Sequence, residues 1–231
     1  MSEITREEIE EKLKKKGAAK LSLKGKDLSG LNLSNLNLTG ANLKGANLKG
    51  AVIRGSQMRD VDLRGSDLSG ANLSKSNLSG SDLSQADLSG ANMSDVYLLQ
   101  CKLQQANLSQ VDLSKAKLDE ATLVEANLTQ VNLDRAFLVR TDLSGADLSG
   151  AVLAGANFKD SVLQNANLSG AQLQAAFLEG ANVKGADFRG ADLKQVYLKL
   201  VEYDDETLWD ADFDPVEAGA TRKRKKFLGL F

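Results

Sequence analysis

The sequence predicts a repeat solenoid, a chain wound into coils that turns a corner in every five-residue unit. Three observations predict it. From Leu23 to Leu198 a large apolar side chain returns at every fifth position without a slip, giving 36 consecutive units. Two residues before each of these centres stands a small or apolar side chain, most often Ala, with Lys26 the only charged exception. A period of five fits neither a 3.6-residue helix nor a two-residue strand, so the first and third residues of each unit point inward and the rest form the corner. Thirty centres are Leu; the others are Ile53, Met58, Met93, Phe158, Val183 and Phe188, all apolar.

Units such as Ala41-Asn42-Leu43-Lys44-Gly45 and Ala146-Asp147-Leu148-Ser149-Gly150 resemble the pentapeptide-repeat family, whose pattern is Ala, Asp or Asn, Leu, then two variable residues. The resemblance covers about 180 of the 231 residues. It implies an all-β fold: a right-handed quadrilateral β-solenoid with one pentapeptide per side, twenty residues per coil and about nine coils. The organisation expected is a capping helix in 1–18, the solenoid in 19–200, and a capping segment with a basic and apolar tail in 201–231.

The first element is a helix over Arg6 to Lys16. Thr5 can cap it, Glu8 stands where a capping box places its partner, and Ile4 and Ile9 are spaced for a hydrophobic staple. Glu8–Lys12, Glu10–Lys14 and Glu11–Lys15 are favourable pairs, Lys14 to Lys16 suit the C-terminal dipole, and Gly17 ends the helix. Its thin apolar face, Ile4, Ile9 and Leu13, suits the open end of a solenoid. The alternative is docking a partner helix. Met1 to Lys20 contains no apolar h-region and no run of 18 apolar residues occurs, so neither a secretory signal nor a membrane span is expected.

The repeats follow. Each buried central Leu contributes roughly 1.5–3 kcal/mol of transfer free energy before entropy is counted. Coils stacked about 4.8 Å apart make a rod on the order of 40 Å long. Bulky inward residues near the start (Leu21, Leu31, Leu36) suit the end of the rod, where no further coil lies outside. Cys101 also points inward and is read as core; a single cysteine excludes an internal disulfide.

Twenty residues per coil sort the units onto four walls. The wall centred on Leu28, Leu48, Leu68 and their successors stays nearest the repeat pattern and reads as solvated scaffold. The wall centred on Leu38, Met58, Leu78 and their successors departs most. Just before its centres, where other walls carry mainly Asp or Asn, stand Tyr97, Phe137, Phe177 and Tyr197. No other unit has an aromatic residue there. Together with Leu99, Lys117 and Val139 they make an outward aromatic and aliphatic column, the usual appearance of a protein-binding surface. The alternatives are relaxed constraint at outward positions and cover of Tyr197 and Phe177 by the C-terminal tail, and for Tyr197 tail cover is the preferred reading.

Function classes can be narrowed. The chain has no His, which removes the commonest general base and metal ligand. Its Asp residues are spread along ladders and a filled solenoid offers no cleft, so no enzyme, cofactor, metal site or small-molecule substrate is expected. Some members of the family resemble B-form DNA in shape and charge and protect DNA gyrase and related topoisomerases. That mode needs a strongly negative rod, whereas Leu21 to Leu200 carries 18 acidic and 18 basic residues. DNA mimicry is therefore the alternative reading, and nucleic acid is disfavoured as a partner.

Beyond Leu200 the register is expected to end. The acidic run Tyr203 to Pro215 resembles the closing segment of many cyanobacterial members, with Trp209 and Phe213 placed to cover the last coil. The basic run Arg222, Lys223, Arg224, Lys225 and Lys226, followed by Phe227, reads as a flexible docking tail, with at most weak membrane affinity. The whole predicts a non-enzymatic, cytoplasmic scaffold presenting surfaces to a protein partner.

Overall fold

Every fifth residue of the repeat region lies one coil below its counterpart twenty positions on. The computed structural model of the chain describes residues 4–223. Parallel bridges run from Ser22↔Asn42 through Asn182↔Glu202, each joining residues twenty apart, and one bridge falls in each five-residue unit. Four sides therefore close each lap.

One unit shows why the sequence folds this way. Leu23 N–H donates to the Asn42 carbonyl at 2.7 Å, and Asn42 N–H donates back to Leu21 at 2.9 Å. At the corner Lys26 N–H donates to the Leu23 carbonyl at 3.0 Å, which holds Gly25 at φ +62°. The Asn or Asp before each centre has a local role as well. Asn42 Oδ1 accepts the N–H of Lys44 at 3.1 Å, and Asp67 Oδ1 accepts that of Ser69 at 2.9 Å. A short acceptor two residues upstream satisfies a turn amide that the ladder leaves over.

The core is a stack of central residues. Of the 36 centres all are buried except Leu193, which is half-buried. Most inward hydroxyls are bonded within the core, as Ser81 Oγ donates to the Met58 carbonyl at 2.7 Å and Thr141 Oγ1 to that of Leu118 at 2.9 Å; Ser161 Oγ is buried without a partner among the described residues. Cys101 occupies the same column, and its Sγ lies 2.9 Å from the Leu78 carbonyl. Burial pushes its thiol up to about 12, which keeps it protonated and unreactive at neutral pH. Lys26, the one charged inward residue, turns out to solvent from the first coil.

Helix α1 (Arg6–Lys16) begins with the expected capping box: Thr5 Oγ1 accepts from Glu8 N–H, and the Glu8 carboxylate accepts from Thr5 N–H. Of the three expected side-chain pairs the described contacts include only Glu11–Lys15, at 2.6 Å. Glu8 is occupied by the cap, and Glu10 turns back to Arg6 at 2.8 Å. Ile9 is fully buried. Arg6 reaches past the helix to the first coil, donating from Nη1 to the Asn32 carbonyl at 2.8 Å and from Nη2 to that of Ser34 at 3.3 Å.

The ladder does not stop at Leu200. Strand β1 (Glu202–Tyr203) adds a further rung on Asn182, and Leu208 pairs with Asp187, twenty-one residues back. A single extra residue lets the chain keep pairing while its side chains follow a different pattern. The corner amide of Gly185 is taken by Asp204 Oδ1 at 3.1 Å, and that of Gly190 by Asp210 Oδ1 at 2.8 Å. Trp209 lies flat on Phe188, centroids 4.5 Å apart, and its other neighbours are Tyr203 and Phe213. Strand β2 (Thr221–Arg222) then pairs parallel with β1. Among the described residues no helix is long and apolar enough to cross a membrane.

Candidate functional site

The bridges place the aromatic column on one wall. Tyr97 pairs with Asn77 below and Lys117 above; Lys117 pairs with Phe137, Phe137 with Asn157, Asn157 with Phe177, and Phe177 with Tyr197. Each step is one coil, about 4.8 Å.

All four aromatic rings are exposed, from 40% for Tyr97 to 55% for Tyr197. Phe177 and Tyr197 stack face to face with centroids 4.8 Å apart. Lys117 Nζ sits 4.6 Å above the Tyr97 ring, a cation–π contact that covers part of this side chain. Leu99 and Leu200 are exposed on the same wall, and Val139 is half-buried. Cover of Tyr197 by the C-terminal segment, one of the expectations above, is not found among the described residues.

These aromatics displace a stabilising group. Where Asn157 keeps the usual residue type, its Oδ1 accepts the N–H of Lys159 at 3.0 Å. At Tyr97, Phe137, Phe177 and Tyr197 no such acceptor exists. Val139 N–H finds a substitute in Asp119 Oδ1 at 2.9 Å, but the amides of Leu99, Glu179 and Lys199 have no partner among the described residues. A hydrogen bond of this kind contributes about 0.5–1.5 kcal/mol. The wall gives up that stability and exposes apolar rings in its place.

Beside Leu99, where Ser79 and Gly80 leave the corner bare, an open notch of about 380 Å³ is lined by Arg59, Asp60, Gln100, Asp119 and Glu120. Sequence reasoning expected no cleft in a filled solenoid; this notch lies on the outside of the wall, at the Gly80 corner. Two of its carboxylates are already engaged. Hydrogen bonds from Gln100 and then Arg140 hold Glu120 below the ordinary carboxyl range, and Asp119 is bound to Val139 N–H. Among the described residues no group of three or more Cys, Asp or Glu could hold a metal ion.

The solvated wall opposite the notch is a polar ladder: Asn47 donates to Asp27 at 3.0 Å, Asn107 to Asp87 at 3.0 Å and Asn167 to Asp147 at 3.0 Å. Of the expected tail residues, Arg222 and Lys223 are tied to the rod. Arg222 pairs with Asp205, and Lys223 Nζ lies 3.3 Å from Glu202. From sequence they read as part of a flexible docking tail because their acidic partners lie about twenty positions back, across β1 and β2. Arg224, Lys225, Lys226 and Phe227 lie outside the described residues.

Eight copies of the family described as pentapeptide repeats match this chain, over ranges that run from 27–65 to 166–201. No curated protein matches the sequence. Similar solved structures include HetL from the cyanobacterium Nostoc sp. strain PCC 7120, a pentapeptide repeat protein involved in heterocyst differentiation regulation. It is 31% identical over 86% of this chain and 96% of its own, with a TM-score of 0.31. A pentapeptide repeat protein of the Arabidopsis thaliana thylakoid lumen is 27% identical over 49% of this chain and 68% of its own, with a TM-score of 0.34. A trypsin-treated form of QnrB1, a plasmid-mediated fluoroquinolone resistance protein, is 20% identical over 85% and 92%, with a TM-score of 0.41.

Proposed function

Because the chain belongs to the pentapeptide-repeat family, whose repeats wind as a right-handed β-helix, we propose that it is a non-enzymatic scaffold. It is a nine-coil rod, closed by α1 at one end and by the residues after Leu200 at the other. It binds a protein partner through the wall that carries Tyr97, Leu99, Lys117, Phe137, Val139, Phe177 and Tyr197.

One observation carries this reading: four exposed aromatic rings share a single wall at whole-coil spacings, each at a position where Asn or Asp would stabilise the turn. Rings held on a stiff sheet lose little entropy when a partner covers them, and such residues dominate binding energies. Lys117 and the polar rim keep the surface soluble while it is free. The equal numbers of acidic and basic residues in the repeats favour docking of a protein over mimicry of a nucleic acid.

The test is a double variant, Tyr97→Ser with Phe137→Ser, compared with the parent in affinity capture from a native lysate followed by mass spectrometry. A partner that binds this wall is lost from the variant while the melting transition is retained. An unchanged set of captured proteins would remove the proposal.

A further inference from the structure

The last coil is not covered evenly. Above the sides centred on Val183 and Phe188, Glu202 and Leu208 continue the ladder, and Gly219 passes over the side centred on Leu198, close to the Lys199 backbone. Above the side centred on Leu193 none of the described residues pairs. Leu193 N–H, Gln195 N–H and the Ala191 carbonyl have no hydrogen-bond partner among the described residues. One coil below, the same three positions are all bonded: Leu173 N–H to Asp192 at 2.9 Å, Ala175 N–H to Lys194 at 3.0 Å, and the Ala171 carbonyl to Asp192 N–H at 2.9 Å.

Packing reports the same gap independently. Leu193 is the only one of 36 centres that is not buried, and Ala191 beside it is half-exposed where most inward alanines are covered. The two residues floor an open groove of about 330 Å³, walled by Lys194, Asp210, Asp212 and Phe213.

We infer that this edge takes an extended segment of a partner protein, added as a parallel strand, with an apolar residue between basic ones. The backbone fixes the conformation. One residue of the ligand must donate its N–H to Ala191 and accept from Leu193 N–H, and a carbonyl two residues on must accept from Gln195 N–H. That is the pattern of every rung below, and strand addition at an open edge is a general mode of peptide recognition. The residue after the bridging one points at Leu193 and must be apolar. The charge is set by the rim. Residues 201–217 contain eight carboxylates and no cation. Arg222 and Lys223 neutralise Asp205 and Glu202 on the far side, and Lys194 is paired with Asp192, so Asp210 and Asp212 leave the groove negative.

The test uses the full chain and the probe peptide Ac-Ala-Lys-Leu-Lys-Gly-NH2, read by the single tryptophan, Trp209, which stacks on the groove residue Phe213. In the free chain the amides of Leu193 and Gln195 exchange with deuterium fast, and those of Leu173 and Ala175 slowly. Millimolar peptide gives a saturable Trp209 signal and slows exchange at Leu193 and Gln195. Methylating the nitrogen of the first lysine, or replacing both lysines with Glu, weakens binding about tenfold or more. A Leu193→Ser variant that keeps the Trp209 emission of the parent loses the response.

Several outcomes overturn the inference. One is no saturable response, and another is equal binding of the methylated peptide. Protection of Leu193 and Gln195 in the free chain that vanishes when 224–231 are deleted makes the chain's own end the occupant. Protection that grows with protein concentration makes it a second copy.

Discussion

The ring of Phe177 lies on that of Tyr197, centroids 4.8 Å apart and planes 5° from parallel, although the two residues are twenty positions apart. The repeat length alone brings them together, since the strand spacing of a sheet is close to the stacking distance of two rings. A stacked aromatic pair contributes about 0.5–1.5 kcal/mol beyond its area. A double-mutant cycle on Phe177→Ser and Tyr197→Ser should therefore show a coupling of about that size in urea denaturation. Strictly additive single changes would mean that the rings do not interact in solution.

The central positions should divide sharply by location. Leu118 is fully buried in the middle of the rod, and Leu118→Lys places an unpaired charge there, a change of about 5 kcal/mol or more. No soluble, cooperatively melting protein is expected. Leu193→Lys, at the same position of its unit, should fold, because the half-buried side chain can reach solvent. Circular dichroism and melting of the two variants side by side check this. Equal damage would show that the last coil is covered after all.

The pair Leu118 and Leu193 also marks how far the sequence could be read. A period of five with inward apolar positions dictates the core, and Tyr97, Phe137, Phe177 and Tyr197 fall on one wall by counting alone. The helix cap at Thr5 and Glu8 was legible because its partners are three residues apart. What counting missed depends on partners that no periodicity brings together. Arg6 bonding to Asn32 and Ser34, Arg222 pairing with Asp205, and the extra residue before Leu208 all belong to the two ends, where the repeat gives no register. The bare edge above Leu193 is a gap in pairing, and a gap has no residue to announce it.

Arg6 supplies at the N-terminal edge what a preceding coil would supply by backbone. Its guanidinium donates to the carbonyls of Asn32 and Ser34 and holds Glu10 from the other side. Arg6→Met keeps the aliphatic stem and removes the donors. It should lower stability by about 1–2 kcal/mol, as expected for two charge-assisted bonds at a partly exposed site. Exchange of amides near α1 should quicken in step, with no change at Trp209. A loss confined to α1 helicity, with the first coil untouched, would assign Arg6 to the helix alone.

Acid should release the C-terminal end before the rod. Burial pushes the Asp204 carboxyl up, but the N–H groups of Gly185 and Glu206 and the Thr207 hydroxyl outweigh it and leave it below its ordinary 3.8. Hydrogen bonding to Lys184, and then to Lys223, holds Glu202 below 4.5. Both groups bind protons more weakly folded than unfolded, so their stabilisation is complete above about pH 4.5 and fades as pH falls through the lowered values. The core of the rod is held by apolar packing that does not titrate, and its own carboxylates held low, such as Asp62 by Arg64 and Asp67 by Ser69, sit on the outside of the rod. Trp209 emission should therefore shift to the red at a higher pH than the one at which the far-ultraviolet dichroism changes. In Asp204→Asn the amide oxygen can still accept from Gly185 but no longer titrates, so the Trp209 transition should move to lower pH while neutral stability changes little. If fluorescence and dichroism fall together, and at the same pH in parent and variant, the carboxylates of the cap do not hold the end of the rod.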